Sequence, residues 1–267
     1  MSFGKWRYAR ASVTGLAHLN QNTDCQDRFL CRTLETAAGE ILIAVVADGA
    51  GSTSEGGRGA ELACRSFAQQ VENFLNSPNA SLESLNEEFG RFWIDHFQKA
   101  TATVAREDKK ELREYATTLV GAVAGEHRTA FFQVGDGGAV FSASGESGSY
   151  LFGVEPMESE YVNMTDFLTD ETAPNALRYA LIEEAIEDLI LFSDGIFAVA
   201  VDYQENRPHE PFLRPMIAPL RNGGASDGLN EKLETFLASP KLGEKTDDDK
   251  TIILASRALR AEGTAKK

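Results

Sequence analysis

Four acidic motifs in this chain share one placement, at the end of a strongly apolar run. Asp48 closes Ile41–Ala47 in VVADGAGS, and Asp136 follows Thr129–Val134 in FFQVGDGG. Asp194 follows Leu189–Phe192 in LILFSDG, and Asp247, Asp248 and Asp249 precede Thr251–Ala255 in TDDDKTIILA. Asp27, in CQDRF, stands just before a further apolar stretch. A carboxylate at the end of a buried strand is held rigidly while its oxygens reach a cleft. Several such ends brought together form an all-oxygen cage, which suits hard cations such as Mg²⁺ or Mn²⁺ better than zinc or copper. Taken singly, each Asp-Gly pair is more often a plain turn. Asp227-Gly228 follows no apolar run and reads as a helix start only. The coincidence with apolar strands sets the other motifs apart. So does the acidic triplet, whose mutual repulsion a cation would offset.

The apolar runs read as strands at Arg28–Leu34, Ile41–Ala47, Thr118–Ala124, Thr129–Val134, Gly138–Ser142, Asp188–Ser193 and Thr251–Ser256. Ile41–Ala47 and Leu189–Phe192 are apolar on both faces, so both faces should be covered. Ala63, Phe67, Val71 and Phe74 make one helical stripe. Leu85, Phe89, Phe92, Trp93, Ala100 and Val104 make another, with Ser81 as its cap. Pro174 is expected to open a third helix carrying Leu177, Leu181 and Ala185. Ser226 is expected to cap a fourth, with Leu229, Leu233 and Phe236 facing inward. Strands in bunches and helices in pairs favour antiparallel sheets with helices outside over alternating βαβ units. Residues 143–173, rich in Gly, Ser, Glu and Thr, read as a mobile insertion, and 257–267 as a frayed tail.

Composition narrows the chemistry. The 267 residues, 42% hydrophobic, suffice for one large core, so a single domain over 1–267 is expected. A net charge of -15 repels nucleic acid and anionic membrane, which excludes both as partners. No apolar stretch approaches the ~20 residues of a membrane span, and the first residues do not resemble a signal peptide. Cys25, Cys31 and Cys64 form neither a C-x-x-C pair nor a C-x5-R motif, and their odd number fits the reducing cytoplasm. The histidines His18, His96, His127 and His209 do not cluster. His18, nearest the first acidic motif, is the one worth testing. The glycine-rich stretch Gly49–Gly59 lacks the Gly-Lys-Ser/Thr of a nucleotide loop.

In the order CQDR, VVADGAGS, ATTLVGAV, QVGDGG, LFSDG and DDKT, from about Ala11 to Ser256, the chain resembles the metal-dependent protein phosphatases of the 2C type, in their compact bacterial branch. The resemblance implies an α+β fold, a four-layer α-β-β-α sandwich of two antiparallel sheets flanked by helix pairs. It implies two Mn²⁺ or Mg²⁺ ions about 3.5–4 Å apart that activate a shared water to hydrolyse phosphoserine or phosphothreonine. Asp48 matches the bridging aspartate, Gly49 the glycine that lends a carbonyl, and Asp194 a further ligand. Asp248 matches the last ligand by register with Thr251, Asp27 the first-motif acid, and Asp136 a third, weaker metal site. It implies phosphorylated proteins as partners, together with a cognate Ser/Thr kinase. Several departures matter. Ala50 stands where many members place a histidine, Gln26 where some place a metal-binding glutamate, Gly135-Asp136-Gly137-Gly138 where the family has GDSR, and the residues just before the first motif, Asn20-Gln21-Asn22-Thr23, include no arginine. Arg28 and Arg58 are the nearest arginines for a phosphate contact. A non-catalytic phosphoprotein-binding or sensor relative, and a small-molecule phosphatase, are the alternative functions.

Overall fold

The computed structural model describes residues 2–36, 38–78, 80–143, 149–156, 165–223 and 226–260. The elements in chain order are β1 (Ser2–Phe3), β2 (Arg7–Val13), α1 (Leu16–Gln21), β3 (Arg28–Thr36), β4 (Gly39–Ala47), α2 (Gly56–Leu75), α3 (Glu87–Glu107), β5 (Leu119–Ala124), β6 (Thr129–Val134), β7 (Gly138–Ala143) and β8 (Tyr150–Phe152). There follow α4 (Ala173–Ala176), β9 (Arg178–Ile182), β10 (Ile186–Phe192), α5 (Asp194–Ala200), β11 (Val201–Asp202), β12 (Arg207–Pro208), α6 (Glu210–Arg221), α7 (Ser226–Leu237), α8 (Pro240–Gly243), β13 (Lys250–Ser256) and β14 (Leu259–Arg260).

Two antiparallel five-stranded sheets, β3-β4-β5-β6-β9 and β2-β13-β10-β7-β8, lie face to face with helices on both outer surfaces. Side-chain alternation in the central strands sorts residues between three cores. From β4, Ile41, Ile43, Val45 and Ala47 join the core under α2 and α3, while Leu42, Ala44 and Val46 enter the core between the sheets. From β10 and β13, Leu189, Leu191, Ile253 and Ala255 meet them in the middle. Ile190, Phe192, Ile252 and Leu254 turn outward under α5, α6 and α7. The four-layer sandwich thus follows from runs that are apolar on both faces.

Several elements depart from the sequence reading. Pro174 opens only the short α4; the stretch expected to continue as helix is the edge strand β9, paired with β6 from Gln133↔Arg178 to Thr129↔Ile182. Its five residues are all half-buried, so neither period stands out. The second helical stripe is rotated: Trp93, Ile94, Phe97, Thr101 and Ala105 are buried, whereas Phe92 is 63% exposed and Ala100 is exposed. Its cap is Asn86, whose side chain accepts from Phe89 N at 3.0 Å, and not Ser81. In α7, Leu237 is buried in place of Phe236, which is 40% exposed. β2 and α6 went unread. β2 presents small buried Ala9 and Ala11 among polar residues, and α6 carries Pro215 and Pro219.

Within 143–173, Tyr150–Phe152 is a strand on β7, and residues 144–148 and 157–164 lie outside the described residues. The tail expectation is corrected at its start. Arg257 is 4% exposed, stacks over Trp6 at 4.5 Å and donates to Ile186 O and Glu126 O at 2.8 and 2.9 Å. Leu259–Arg260 pairs with Ser2–Phe3, and 261–267 lie outside the described residues.

Phe67 ties α2 to α3 and to the sheet beneath, meeting Trp93 edge-on at 5.1 Å and Phe132 at 5.5 Å. Phe67→Ala is expected to lower unfolding free energy by ~3–5 kcal/mol, the usual cost of an emptied aromatic site. Urea titration of the two proteins reads this directly, and an unchanged midpoint would contradict the packing described.

Candidate metal centre

The sandwich gathers strand ends at one edge. Asp48 leaves β4, Asp136 sits in the turn between β6 and β7, and Asp194 opens α5 directly after β10. Each offers a carboxylate oxygen, and these three oxygens lie within 4.8 Å of one another. Asp27, just before β3, is 1% exposed; its Oδ2 accepts from Ser193 Oγ at 2.7 Å, and that same hydroxyl oxygen accepts from Thr251 N at 3.0 Å. Asp48 is anchored through its backbone, its N donating to Thr118 Oγ1 at 3.1 Å and its carbonyl accepting from Thr117 Oγ1 at 2.8 Å. Asp136 Oδ2 accepts from Thr165 Oγ1 at 2.6 Å. Gly49 lies against the start of α2 so closely that an added Cβ would stand 2.2 Å from the Gly56 carbonyl carbon.

The electrostatics are those of like charges held together. Burial raises Asp48 well above the usual carboxylate range, and the charges of Asp27 and Asp194 add to it. Burial, then Asp248 and Asp136, push Asp194 up to about 8. Burial lifts Asp27 to about 6 against the opposing hydrogen bond from Ser193. Asp27 Oδ1, Asp136 Oδ1 and Asp194 Oδ1 are buried without a hydrogen-bond partner. Buried oxygens are almost always satisfied. Clustered acids with idle oxygens fit a cation, and an oxygen-only donor set fits Mg²⁺ or Mn²⁺.

The acidic triplet divides. Asp247 is exposed, and Asp248 is half-buried, raised chiefly by burial and acting on Asp194 and Asp48 by charge. Asp249 belongs to another task. Its Oδ1 accepts from Gly15 N at 2.7 Å, its Oδ2 accepts from Gln26 N at 2.6 Å, and His18 Nδ1 lies 2.9 Å from Oδ2. Burial acts to raise Asp249, but the Gly15 N–H, His18 and the Gln26 N–H together hold it below the usual range. Sequence reading missed this anchor, together with Ser193 and Thr251. Asp248, singled out by its register with Thr251, acts on Asp48 and Asp194 by charge and is not among the three close oxygens.

The two arginines nearest the motifs both make contacts within the protein. Arg58 pairs with Asp108 and lies over the Tyr115 ring. Arg28 Nη1 donates to Cys25 O and Asp27 O at 2.6 and 2.7 Å. Its Nη2 lies near Gly57 at the start of α2. Gln26 Oε1 accepts from Gly57 N at 2.6 Å, fixing that same helix start. Of the histidines, His96 is exposed and His209 Nδ1 is 2.9 Å from Val199 O. Only His18 comes to the acidic triplet.

A model of the family described as Protein phosphatase 2C matches residues 14–238. The chain belongs to the protein phosphatase 2C family. It is 33% identical over 253 residues to serine/threonine-protein phosphatase 3 of Escherichia coli (strain K12), covering 94% of this chain and 98% of the relative. Its fold matches the serine/threonine phosphatase Stp1 from Staphylococcus aureus with a TM-score of 0.61 at 17% identity, over 98% of each chain. It also matches the catalytic domain of the serine threonine protein phosphatase PstP, solved in complex with two manganese ions. There the TM-score is 0.59 at 16% identity, over 95% of this chain and 99% of the other. The expected family and the two-sheet fold are thus both found.

A carboxyl whose folded pKa exceeds its unfolded value of about 3.9 supports folding only while protonated. That support is complete below the unfolded value and is lost as pH rises through about 6 for Asp27 and about 8 for Asp194. In EDTA, Tm is therefore expected to fall between about pH 5.5 and about pH 8.5, and Asp194→Asn to flatten the fall. Calorimetry at the two pH values checks this; an equally steep fall in the variant would remove Asp194 as its source.

Proposed function

We propose that this protein phosphatase 2C member is a Mn²⁺- or Mg²⁺-dependent hydrolase of phosphoserine and phosphothreonine in proteins, with residues 1–267 acting as one phosphatase domain. The observation that carries this reading is the trio of mutually close carboxylates at strand ends, Asp48, Asp136 and Asp194, of which the last two each keep a buried oxygen without a hydrogen-bond partner among the described residues. Asp48, Gly49, Asp194 and Asp248, with Asp27 behind them, would hold two ions, and Asp136 a third. When bound, such ions supply a nucleophilic water near neutral pH and charge stabilisation for the phosphoryl group in transfer.

The chain's own contribution is placement. Rigid strand ends fix the carboxylates, and the hydroxyls of Ser193, Thr117 and Thr118 set the orientation of Asp27 and Asp48. No cysteine is set up for a covalent route. Burial pushes the Cys25 thiol up to about 12, and Cys31 and Cys64 are buried and raised further. Arg28, through its Nη2 near the start of α2, is the better placed of the two arginines to meet a substrate phosphate. A net charge of -15 favours a protein substrate over nucleic acid, and a Ser/Thr kinase must supply it. The cytoplasm is the proposed location. No helix among the described residues is long and apolar enough to cross a membrane.

Purified protein with Mn²⁺ is expected to release phosphate from a phosphothreonine peptide, and EDTA to stop it. Asp48→Asn and Asp194→Asn are each expected to cost more than the roughly 10–100-fold typical of an outer-shell partner, with circular dichroism unchanged. Full activity in Asp48→Asn would overturn the site. Turnover of phosphorylated metabolites but not of the peptide would assign a small-molecule phosphatase instead.

A further inference from the structure

A serine or threonine alkoxide is a poor leaving group. When the ester bond to phosphorus breaks, the oxygen that departs needs a proton. The cage aspartates cannot supply it while they hold cations. Lys250 is 3% exposed and its Nζ donates to Asp248 O at 2.9 Å. Ala50, in the loop after Asp48, has no proton to give. His18 is a further proton-bearing side chain at this end of the molecule, close enough to act on Asp248 and Asp249 by charge.

Its placement is constructed from both sides. α1 is fixed to the segment before β13, with Gly15 N donating to Asp249 Oδ1 at 2.7 Å and Ala17 N to Asp247 O at 2.9 Å. The helix ends at Asn22, whose positive φ of 55° turns the chain so that Thr23 N meets His18 O at 3.0 Å. His18 is 9% exposed, with Nδ1 2.9 Å from Asp249 Oδ2. Its opposite edge meets the loop that carries Asp48. A Cβ added to Gly51 would lie 3.0 Å from His18 Nε2 and 3.5 Å from Cε1. The loop thus has no side chain where this ring edge emerges, and Nε2 has no hydrogen-bond partner among the described residues. The Asp249 carboxylate beside Nδ1 orients the ring and leaves Nε2 on the edge that faces the loop.

We propose that His18, oriented by Asp249, is the proton donor to the leaving oxygen, a role that rests on the phosphatase reading above. Water oxygen forms the new bond to phosphorus and releases one proton to solvent. The phosphorus–ester oxygen bond breaks with its electron pair going to the oxygen, which takes the Nε2 proton and leaves as the serine or threonine hydroxyl. The imidazole regains a proton from solvent.

The test separates this role from a structural one by leaving group. p-Nitrophenolate departs without a proton, whereas the threonine oxygen does not. His18→Asn keeps a polar group near Asp249 and removes Nε2. His18→Gln places an amide N–H near the Nε2 position but releases no proton. With Mn²⁺, both variants are expected to lose about 10²-fold or more in kcat on a phosphothreonine peptide while staying within about threefold on p-nitrophenyl phosphate, the range of a lost general acid. Equal losses on both substrates, no loss on the peptide, or rescue of the peptide rate by His18→Gln would overturn the proposal. Wild-type protein inactive on both substrates would overturn the phosphatase reading with it.

Discussion

Buried carboxylates repel one another, and this fold forces several into one place. Asp27, Asp48 and Asp194 are all raised by burial and by each other's charge or that of their neighbours. Such a cluster is a standing cost to the folded state unless protons or cations offset it. The arrangement elsewhere makes sense as the scaffold that meets this cost. Two sheets with three apolar cores hold the strand ends, and hydroxyls from Thr117, Thr118, Thr165 and Ser193 satisfy some oxygens and backbone groups while leaving others idle. Stability is spent at the edge of the sandwich and recovered in its middle.

One aspartate of the cluster region is of the opposite kind. Asp249 is lowered, and its oxygens are engaged by two backbone N–H groups and by His18. It fastens the loop from Gly15 to Gln26 onto the start of β13, so the first acidic motif and the last share a single anchor. Adjacent residues in DDKT thereby divide the labour. Asp248 acts on Asp48 and Asp194 by charge, Asp249 fastens the Gly15–Gln26 loop, and Thr251 Oγ1 donates to Ser12 Oγ at 2.7 Å.

What the sequence made legible follows from how local the physics was. β4 and β10 are apolar on both faces, and a strand covered on both sides must be central, so the acids at their ends are held at the edge of the packed sandwich. β9 was misread because its half-buried residues have no dominant period, and Pro174 supplied a genuine but short helix start. α6 was hidden by Pro215 and Pro219, which act as breakers in isolation but are tolerated in a helix packed by Leu213, Ile217 and Leu220. The roles of Asp249 and His18 depend on partners more than 230 residues apart in sequence in the case of Gly15 and Asp249, separated by 234 positions. No local pattern encodes such a pairing.

β13 is flanked by β2 on one side and β10 on the other, and β2 has no other neighbour in its sheet. The second strand of the chain must therefore wait for one of the last. During vectorial synthesis, the sheet with β3 to β6 can close early, but Arg7–Val13 stays an unpaired edge until Lys250–Ser256 has emerged. The nascent chain thus carries no assembled centre. Catalytic competence arrives late and all at once, a form of quality control written into strand order.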